Sequence, residues 1–224
     1  MSDLRQAAYT TPRPDVFAMV PAEATMVLDV GCSNGALGAS LRSAVPGRRV
    51  MGIEGDAALF QEAVVRLDEV IRTDLNDFDW TAAFAEATFD CIIFADVLEH
   101  LIDPPRHLKA AQHRLRPGGC IVVSLPNVRH VSALYSIFVR GTFPQRERGI
   151  FDRTHLRWFT LGDARRLLAA ADLTVEEVSY SLRVGDRGDG IVNKVARKLL
   201  EPIQTFGPVR EFLTYQSCIR AVKA

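Results

Sequence analysis

The chain has 224 residues, 48% of them hydrophobic, and its 27 basic residues balance 27 acidic ones for a formal net charge of zero. That length fits one domain with a sizeable core, and the charge balance argues against a protein that tracks phosphate backbones through clustered Lys and Arg. No apolar run approaches the ~20 residues of a membrane span. Met1-Ser2-Asp3-Leu4-Arg5 lacks the apolar core of a signal peptide. The expectation is a cytoplasmic protein with no membrane span and no nucleic-acid partner.

In chain order, residues 1–21 read as an N-terminal flap, with Tyr9 and Phe17 facing a ligand. The apolar run 26–30 reads as a first strand carrying Asp29, followed by Gly31-Cys32-Ser33-Asn34-Gly35 and a helix over 35–44. Such a strand, glycine-rich turn and helix place backbone N–H groups around a small ligand. The dinucleotide fingerprint fails because Ser33 stands where its second glycine belongs, and no Gly-Lys-Ser/Thr follows for a phosphate loop. The turn suits a ligand without a pyrophosphate.

A second strand over 49–54 ends at Glu54-Gly55, and Asp56 caps a helix over 57–67. Strands over 69–72 and 89–95 follow, the first running into Asp74-Leu75 and the second into Asp96-Val97. Asp103-Pro104 opens a helix whose Leu108, Ala111 and Leu115 share one face, and Gly118-Gly119 ends it. A fifth strand covers 120–125. The connection over 126–159, with an apolar helix near 131–139, is long enough to carry function. Thr160-Leu161-Gly162-Asp163 starts a helix to about Asp172 as a capping box. Strands over 173–181 and 215–223 complete seven, with a Gly/Asp-rich loop and a basic amphipathic helix between them at 183–206. Strands alternating with helices imply a parallel sheet covered on both faces. Cys32, Cys91, Cys120 and Cys218 form no C-x-x-C pair and read as buried reduced thiols.

The first turn resembles the first motif of the class I S-adenosylmethionine (SAM) methyltransferases. Gly52-Ile53-Glu54-Gly55-Asp56 resembles their second motif and Thr73-Asp74-Leu75 their third. The segment from Phe89 through Asp96-Val97-Leu98-Glu99-His100-Leu101 resembles the fourth, and Arg116-Pro117-Gly118-Gly119 with the strand after it the fifth. Five motifs in order, at the family's spacing, cover nearly the whole chain. The resemblance implies a single α/β domain over 1–224: a Rossmann-like, seven-stranded, mostly parallel sheet in the order 3-2-1-4-5-7-6. Its final strand is antiparallel, and the 126–159 insertion is a lid on the acceptor side. It also implies SAM as cofactor.

SAM makes distinct demands on such a site. The backbone from Gly31 through Cys32, Ser33 and Asn34 to Gly35 can approach its carboxylate closely. Family resemblance places Asp29 near the amino-acid part. Glu54 ends the second strand, where a carboxylate can accept from both ribose hydroxyls, and Gly55 follows it. By resemblance Asp74 accepts from the adenine amino group and Leu75 offers its N–H. Backbone carbonyls at Asp96-Val97 lie at the switch point of the sheet and can take the ammonium group.

Methyl transfer from a sulfonium is an in-line displacement, so alignment of the acceptor is the main requirement. A hydroxyl acceptor usually also needs a base, most commonly histidine. Of five histidines, His107 and His113 read as solvated and His100 as a scaffold residue that follows the fourth strand. His130 and His155 lie in the long connection and are the preferred candidates. Asp152 either pairs with His155 and raises its basicity or locks the lid by hydrogen bonds. The sequence marks no set of metal ligands. The segments 124–130 and 149–160 resemble a bacterial methyltransferase subgroup found with glycosyltransferases. The favoured acceptor is therefore a small molecule, a hydroxyl of a sugar or related metabolite. A quinone-like or phenolic acceptor and a non-catalytic SAM-fold binding module are the alternatives.

Overall fold

The computed structural model describes residues 13–84, 87–183 and 207–223. Seven strands form one sheet: β1 Met26–Val30, β2 Arg49–Glu54, β3 Glu69–Arg72, β4 Phe89–Ala95, β5 Leu115–Pro126, β6 Leu173–Leu182 and β7 Thr214–Lys223. Their order is β3-β2-β1-β4-β5-β7-β6. The first five pair in parallel, and β7 runs antiparallel to both of its neighbours. The fold expected from the motifs is the one observed.

The strand sequences explain why both faces are covered. Successive side chains point to opposite faces of a strand. Leu28, Met51, Ile53, Ile92, Phe94 and Ile121 enter one core layer with Trp80, Phe89, Leu108 and Leu168. Val27, Val50, Cys91, Ile93 and Val122 enter the other with Val16, Met19, Leu37 and Leu41. Continuous apolar runs are what a doubly covered parallel sheet requires. All four cysteines are free and buried.

Local signals set the helix starts. Asp56 accepts from the N–H groups of Ala58 and Leu59 and opens Ala57–Val64. Asp103 accepts from Arg106 N ahead of Pro104–His113. The Thr160–Asp163 capping box forms and opens Leu161–Ala169. The ends differ from expectation. The helix after Asp56 stops at Val64 rather than near 67, because Leu67 turns back over Gly38 and Gly52. The helix Leu161–Ala169 closes before Asp172, whose φ of 57° is left-handed. Leu115 pairs with Phe89, so β5 begins there and takes in Gly118-Gly119.

One sequence reading is corrected. His107 is buried, not solvated, and its Nδ1 accepts from Trp80 Nε1 at 3.1 Å. Phe17, in the short helix Pro14–Phe17, is half-buried and packs against the second core layer. Tyr9 and residues 184–206 lie outside the described residues.

The insertion is pinned at both ends. Asn127 bridges to Phe159, Val128 N donates to Phe159 O at 2.9 Å, and Asn127 N donates to Tyr215 O at 2.9 Å. Inside it, Val131–Leu134 is α-helical and Tyr135–Val139 continues as a wider π-type turn.

Gly52 has no room for a side chain: an added Cβ would lie 2.6 Å from Cys32 Sγ and 2.8 Å from Leu67 Cδ1. Gly52→Ala is expected to cost about 1–3 kcal/mol, the range for overpacking a dense core. A lower Tm in thermal denaturation is the readout.

Candidate active site

The parallel topology brings the carboxyl ends of β1, β2 and β4 together, and the turns that follow them carry most of the expected cofactor residues. Gly31 has a φ of 70° and Gly35 of 77°, which suit glycine. Gly31 N and Cys32 N both donate to Ile53 O, at 2.8 and 2.9 Å, and fasten the turn to β2. A Cβ on Gly31 would meet Val97 Cγ2 at 2.6 Å, so the first turn and the segment after β4 touch here. Ser33 also has a left-handed φ, of 52°.

Glu54 holds this turn from the side. Its Oε2 accepts from Ser33 N and its Oε1 from Asp56 N, each at 2.8 Å. Burial raises its pKa above the ordinary carboxylate value, and these backbone donors pull it back. Each oxygen keeps a second lone pair, so Glu54 can still accept from a diol. Gly55 follows with its Cβ direction 3.2 Å from Thr73 O. Asn34 is directed elsewhere: its Oδ1 accepts from Ala36 N and its Nδ2 donates to Glu62. These two bonds tie its side chain into the turn that precedes the helix. Asp74 is exposed and accepts from Asn76 N at 2.9 Å and Asn76 Nδ2 at 3.1 Å, capping the short turn Leu75–Asp77.

Asp29 is 2% exposed. Burial pushes its pKa up to about 7, reinforced by the nearby charge of Glu54 and opposed by Arg13. Asp96 has a left-handed φ of 57°, and its carboxylate is held by Arg13 and by Gln216. Both of these donors also reach Ser124 Oγ at 2.8 Å. Arg13, Ser124 and Gln216 were not singled out from the sequence. They come from the N-terminal segment, β5 and β7, and no local pattern joins them.

The catalytic candidates separate. His130 is fully buried; its Nδ1 accepts from Ser132 N and its Nε2 lies 2.8 Å from Arg183 O. A carbonyl only accepts, so Nε2 carries the proton and Nδ1 caps the helix. His130 is thus an architectural residue with both nitrogens occupied, which corrects its reading as a base. Asp152 accepts from Thr154 N and Thr154 Oγ1 at 2.9 and 2.7 Å. It closes its own turn, and Glu99 is the carboxylate that stands beside the His155 ring.

His155 is 9% exposed. Its Nδ1 lies 3.2 Å from Ile150 O, and its Nε2 lies 3.9 Å from Glu99 Oε1. His100 is half-buried, with Nδ1 3.1 Å from Thr154 O. The two rings stand edge to face, 4.8 Å between centroids. Each Nδ1–H therefore donates to a carbonyl, and each Nε2 keeps its lone pair. Among the described residues Glu99, His100 and His155 form a group of metal-site composition, with ligand atoms within 4.8 Å of one another. Bonds of about 2.1 Å to a tetrahedral ion would need ligand atoms about 3.4 Å apart, so the group as placed is wider than a coordination sphere.

A family model described as a methyltransferase domain matches residues 5–178. The chain belongs to this family. The methyltransferase domain is 26% identical over 187 residues to a ubiquinone biosynthesis O-methyltransferase of Rhizobium leguminosarum bv. trifolii, covering 80% of this chain and 67% of that one. It is 30% identical over 127 residues to a trans-aconitate 2-methyltransferase of Deinococcus radiodurans, covering 56% and 48%. The chain spans between about a third and two thirds of the length of the first such relatives. In fold it is similar to a SAM-dependent methyltransferase of Mesorhizobium loti, with a TM-score of 0.63 at 16% identity over 94% of this chain and 96% of that one. It is similarly close to the magnesium protoporphyrin IX methyltransferase of Synechocystis solved with bound SAH, TM-score 0.62 at 14% identity over 98% and 83%. SAM is the cofactor of this methyltransferase family.

Two outcomes are expected for the candidate cofactor residues. Glu54→Ala is expected to weaken SAM binding by about 1.5–3 kcal/mol, the scale of charge-assisted hydrogen bonds; isothermal titration measures it, and equal affinity would remove Glu54 from the site. Asp29 gives a pH dependence. SAM is cationic at its ammonium and sulfonium, so SAM bound beside Asp29 would favour the Asp29 carboxylate. Affinity should fall by up to about tenfold per pH unit below about 7, with proton release on binding. In the free protein the sign is opposite: an acid whose folded pKa is raised stabilises at low pH, and that contribution is lost as pH rises through about 7. Asp29→Asn should therefore flatten the pH profile of binding and raise Tm at pH 8.

Proposed function

We propose that the chain transfers the methyl group of SAM to a hydroxyl of a small metabolite, a sugar or a related polyol. The observation that carries this reading is the pair of imidazoles beside the fourth-strand turn, each with Nδ1 facing a backbone carbonyl. SAM would lie across the carboxyl ends of β1, β2 and β4. The Gly31–Gly35 backbone faces its carboxylate, Asp29 and the Asp96-Val97 segment its ammonium group, Glu54 its ribose, and Asp74-Leu75 its adenine. The insertion over 126–159 covers the acceptor side.

Of the two imidazoles, His100 is the one a hydroxyl can approach, because it is only half-buried and its Nε2 lone pair is free to accept a proton. His155, the first choice from sequence, stands behind it and orients it edge to face. The hydroxyl oxygen attacks the methyl carbon, the neutral thioether leaves, and the proton passes to His100. A phenolic or quinol-type hydroxyl is the second reading, favoured by the similarity to proteins named as ubiquinone biosynthesis O-methyltransferases.

The test is a pair of variants assayed with labelled SAM against metabolite extracts and a sugar and phenol panel. His100→Ala should lower turnover by roughly 10²–10⁴-fold, the contribution of a positioned general base, with SAM affinity unchanged. His155→Ala should lower Tm and raise the acceptor KM with a smaller loss of turnover. Equal and small effects of both would contradict a hydroxyl acceptor activated by a histidine. An inert protein that binds SAM tightly would support a binding module instead.

A further inference from the structure

The insertion carries an apolar surface that the cofactor residues do not use. Its helical stretch reads Val131-Ser132-Ala133-Leu134-Tyr135-Ser136-Ile137-Phe138-Val139. Ala133 and Ser136 are buried, and Ile137 packs with Ile150, Phe151 and Tyr215. The other side holds Val131, Tyr135, Phe138 and Val139, at helical spacing, and all four are exposed. Phe138 is 79% exposed and Val139 69%. A surface helix ordinarily turns polar residues to water. This one is apolar on both sides, the mark of a helix that is buried or in contact with a membrane. Past Gly141, Thr142 N donates to Ser136 O at 2.9 Å and returns the chain beside the helix. Phe143 follows and stands edge to face with Trp158, 4.8 Å between centroids. Both of these aromatic residues are exposed as well.

Positive charge accompanies this surface. Residues 126–159 contain Arg129, Arg140, Arg146, Arg148, Arg153 and Arg157 against Glu147 and Asp152, six cations to two anions, in a chain of zero formal net charge. Arg129 pairs with Glu211 and Arg153 with Glu147. Arg140, directly after Val139, and Arg148 are exposed and meet no carboxylate among the described residues. We propose that this face of the insertion docks on the surface of an anionic lipid bilayer. Phe138, Val139 and Trp158 enter the boundary between headgroups and acyl chains, and Arg140 and Arg148 meet lipid phosphates. Interfacial elements have this composition, because they combine burial of apolar area with attraction to anionic headgroups. The helix is hydrogen-bonded within itself, and Trp158 Nε1 already donates to Ile150 O at 2.9 Å, so neither needs water on entering an apolar layer. A second copy of the chain fits this face less well, since apposing two copies would bring both arginine surpluses together. The contact goes beyond the hydroxyl-transfer reading and does not depend on which acceptor is methylated.

Sedimentation of the full chain with lipid vesicles reads the contact without any assay of turnover. The vesicles are phosphatidylcholine alone, or equal parts phosphatidylcholine and phosphatidylglycerol. Binding should favour the phosphatidylglycerol vesicles by about tenfold or more at low salt, and should weaken as salt screens the arginines. Phe138→Ser combined with Val139→Ser should lower the partition coefficient by about tenfold or more, the scale of two apolar side chains that lose their burial. Arg140→Gln should lower it about fivefold, on the anionic vesicles only. All three residues are exposed, so an unchanged Tm is expected and shows the variants to be folded. Trp158 supplies an internal signal: its fluorescence should shift to the blue on binding, while buried Trp80 stays constant. Three results would overturn the proposal: no binding to either vesicle, equal binding to both, or a double variant that binds as the parent does. A dimer in the absence of lipid that the same double variant dissociates would also overturn it and give the face to a second copy of the chain.

Discussion

Carboxylates gathered in a poorly solvated place are the constraint around which this molecule is arranged. Asp29, Glu54, Asp96 and Glu99 all stand at the carboxyl edge of the sheet, because the parallel order ends β1, β2 and β4 on the same side. Each meets the cost of burial differently. Glu54 takes backbone N–H donors from the two turns it joins. Asp96 takes Arg13 and Gln216. Asp29 and Glu99 have raised pKa values, with desolvation as the leading cause. A cationic cofactor is the natural complement to such an edge, since its sulfonium and ammonium stabilise charges the protein alone leaves under-compensated.

The remaining architecture serves that edge. The glycine-rich turn is fastened to β2 through Ile53 O, so its N–H groups and the Glu54 carboxylate form one unit. Val97 packs at the position a Gly31 side chain would need, which ties the first turn to the switch point. The insertion is a closed loop on the sheet, joined at Asn127 and Phe159 and anchored to β7 through the Asn127 side chain on Thr214 O. Its far end returns to the turn after β4 through Thr154 O, Leu156 N and Arg157 N. Motion of this segment would therefore be felt at His100 and Glu99 first.

Much of this was legible in the sequence, for identifiable reasons. Buried parallel strands read as apolar runs, so the places of β1, β2 and β4 followed from the order of apolar residues, whereas β5 starts five residues before its apolar run. Asp56, Asp103 and Thr160 are local caps whose partners lie within three residues, and each formed as read. What escaped were contacts between distant segments. His130 looked like a base because its partner, the carbonyl of Arg183, is 53 residues away. His107 looked solvated because Trp80, its partner, is 27 residues away. Glu99 was visible inside the fourth motif, yet only the fold brings His155 to it. Arg13 and Gln216 reach Asp96 across 83 and 120 residues.

The most direct test of the account is a crystal structure of the protein with S-adenosylhomocysteine, the demethylated product. The account predicts the ribose hydroxyls on Glu54, the amino-acid end against the Gly31–Gly35 backbone and Asp29, and the sulfur directed toward the space bounded by His100 and the insertion. A product bound away from the carboxyl ends of β1, β2 and β4, or bound there with its ribose far from Glu54, would contradict it.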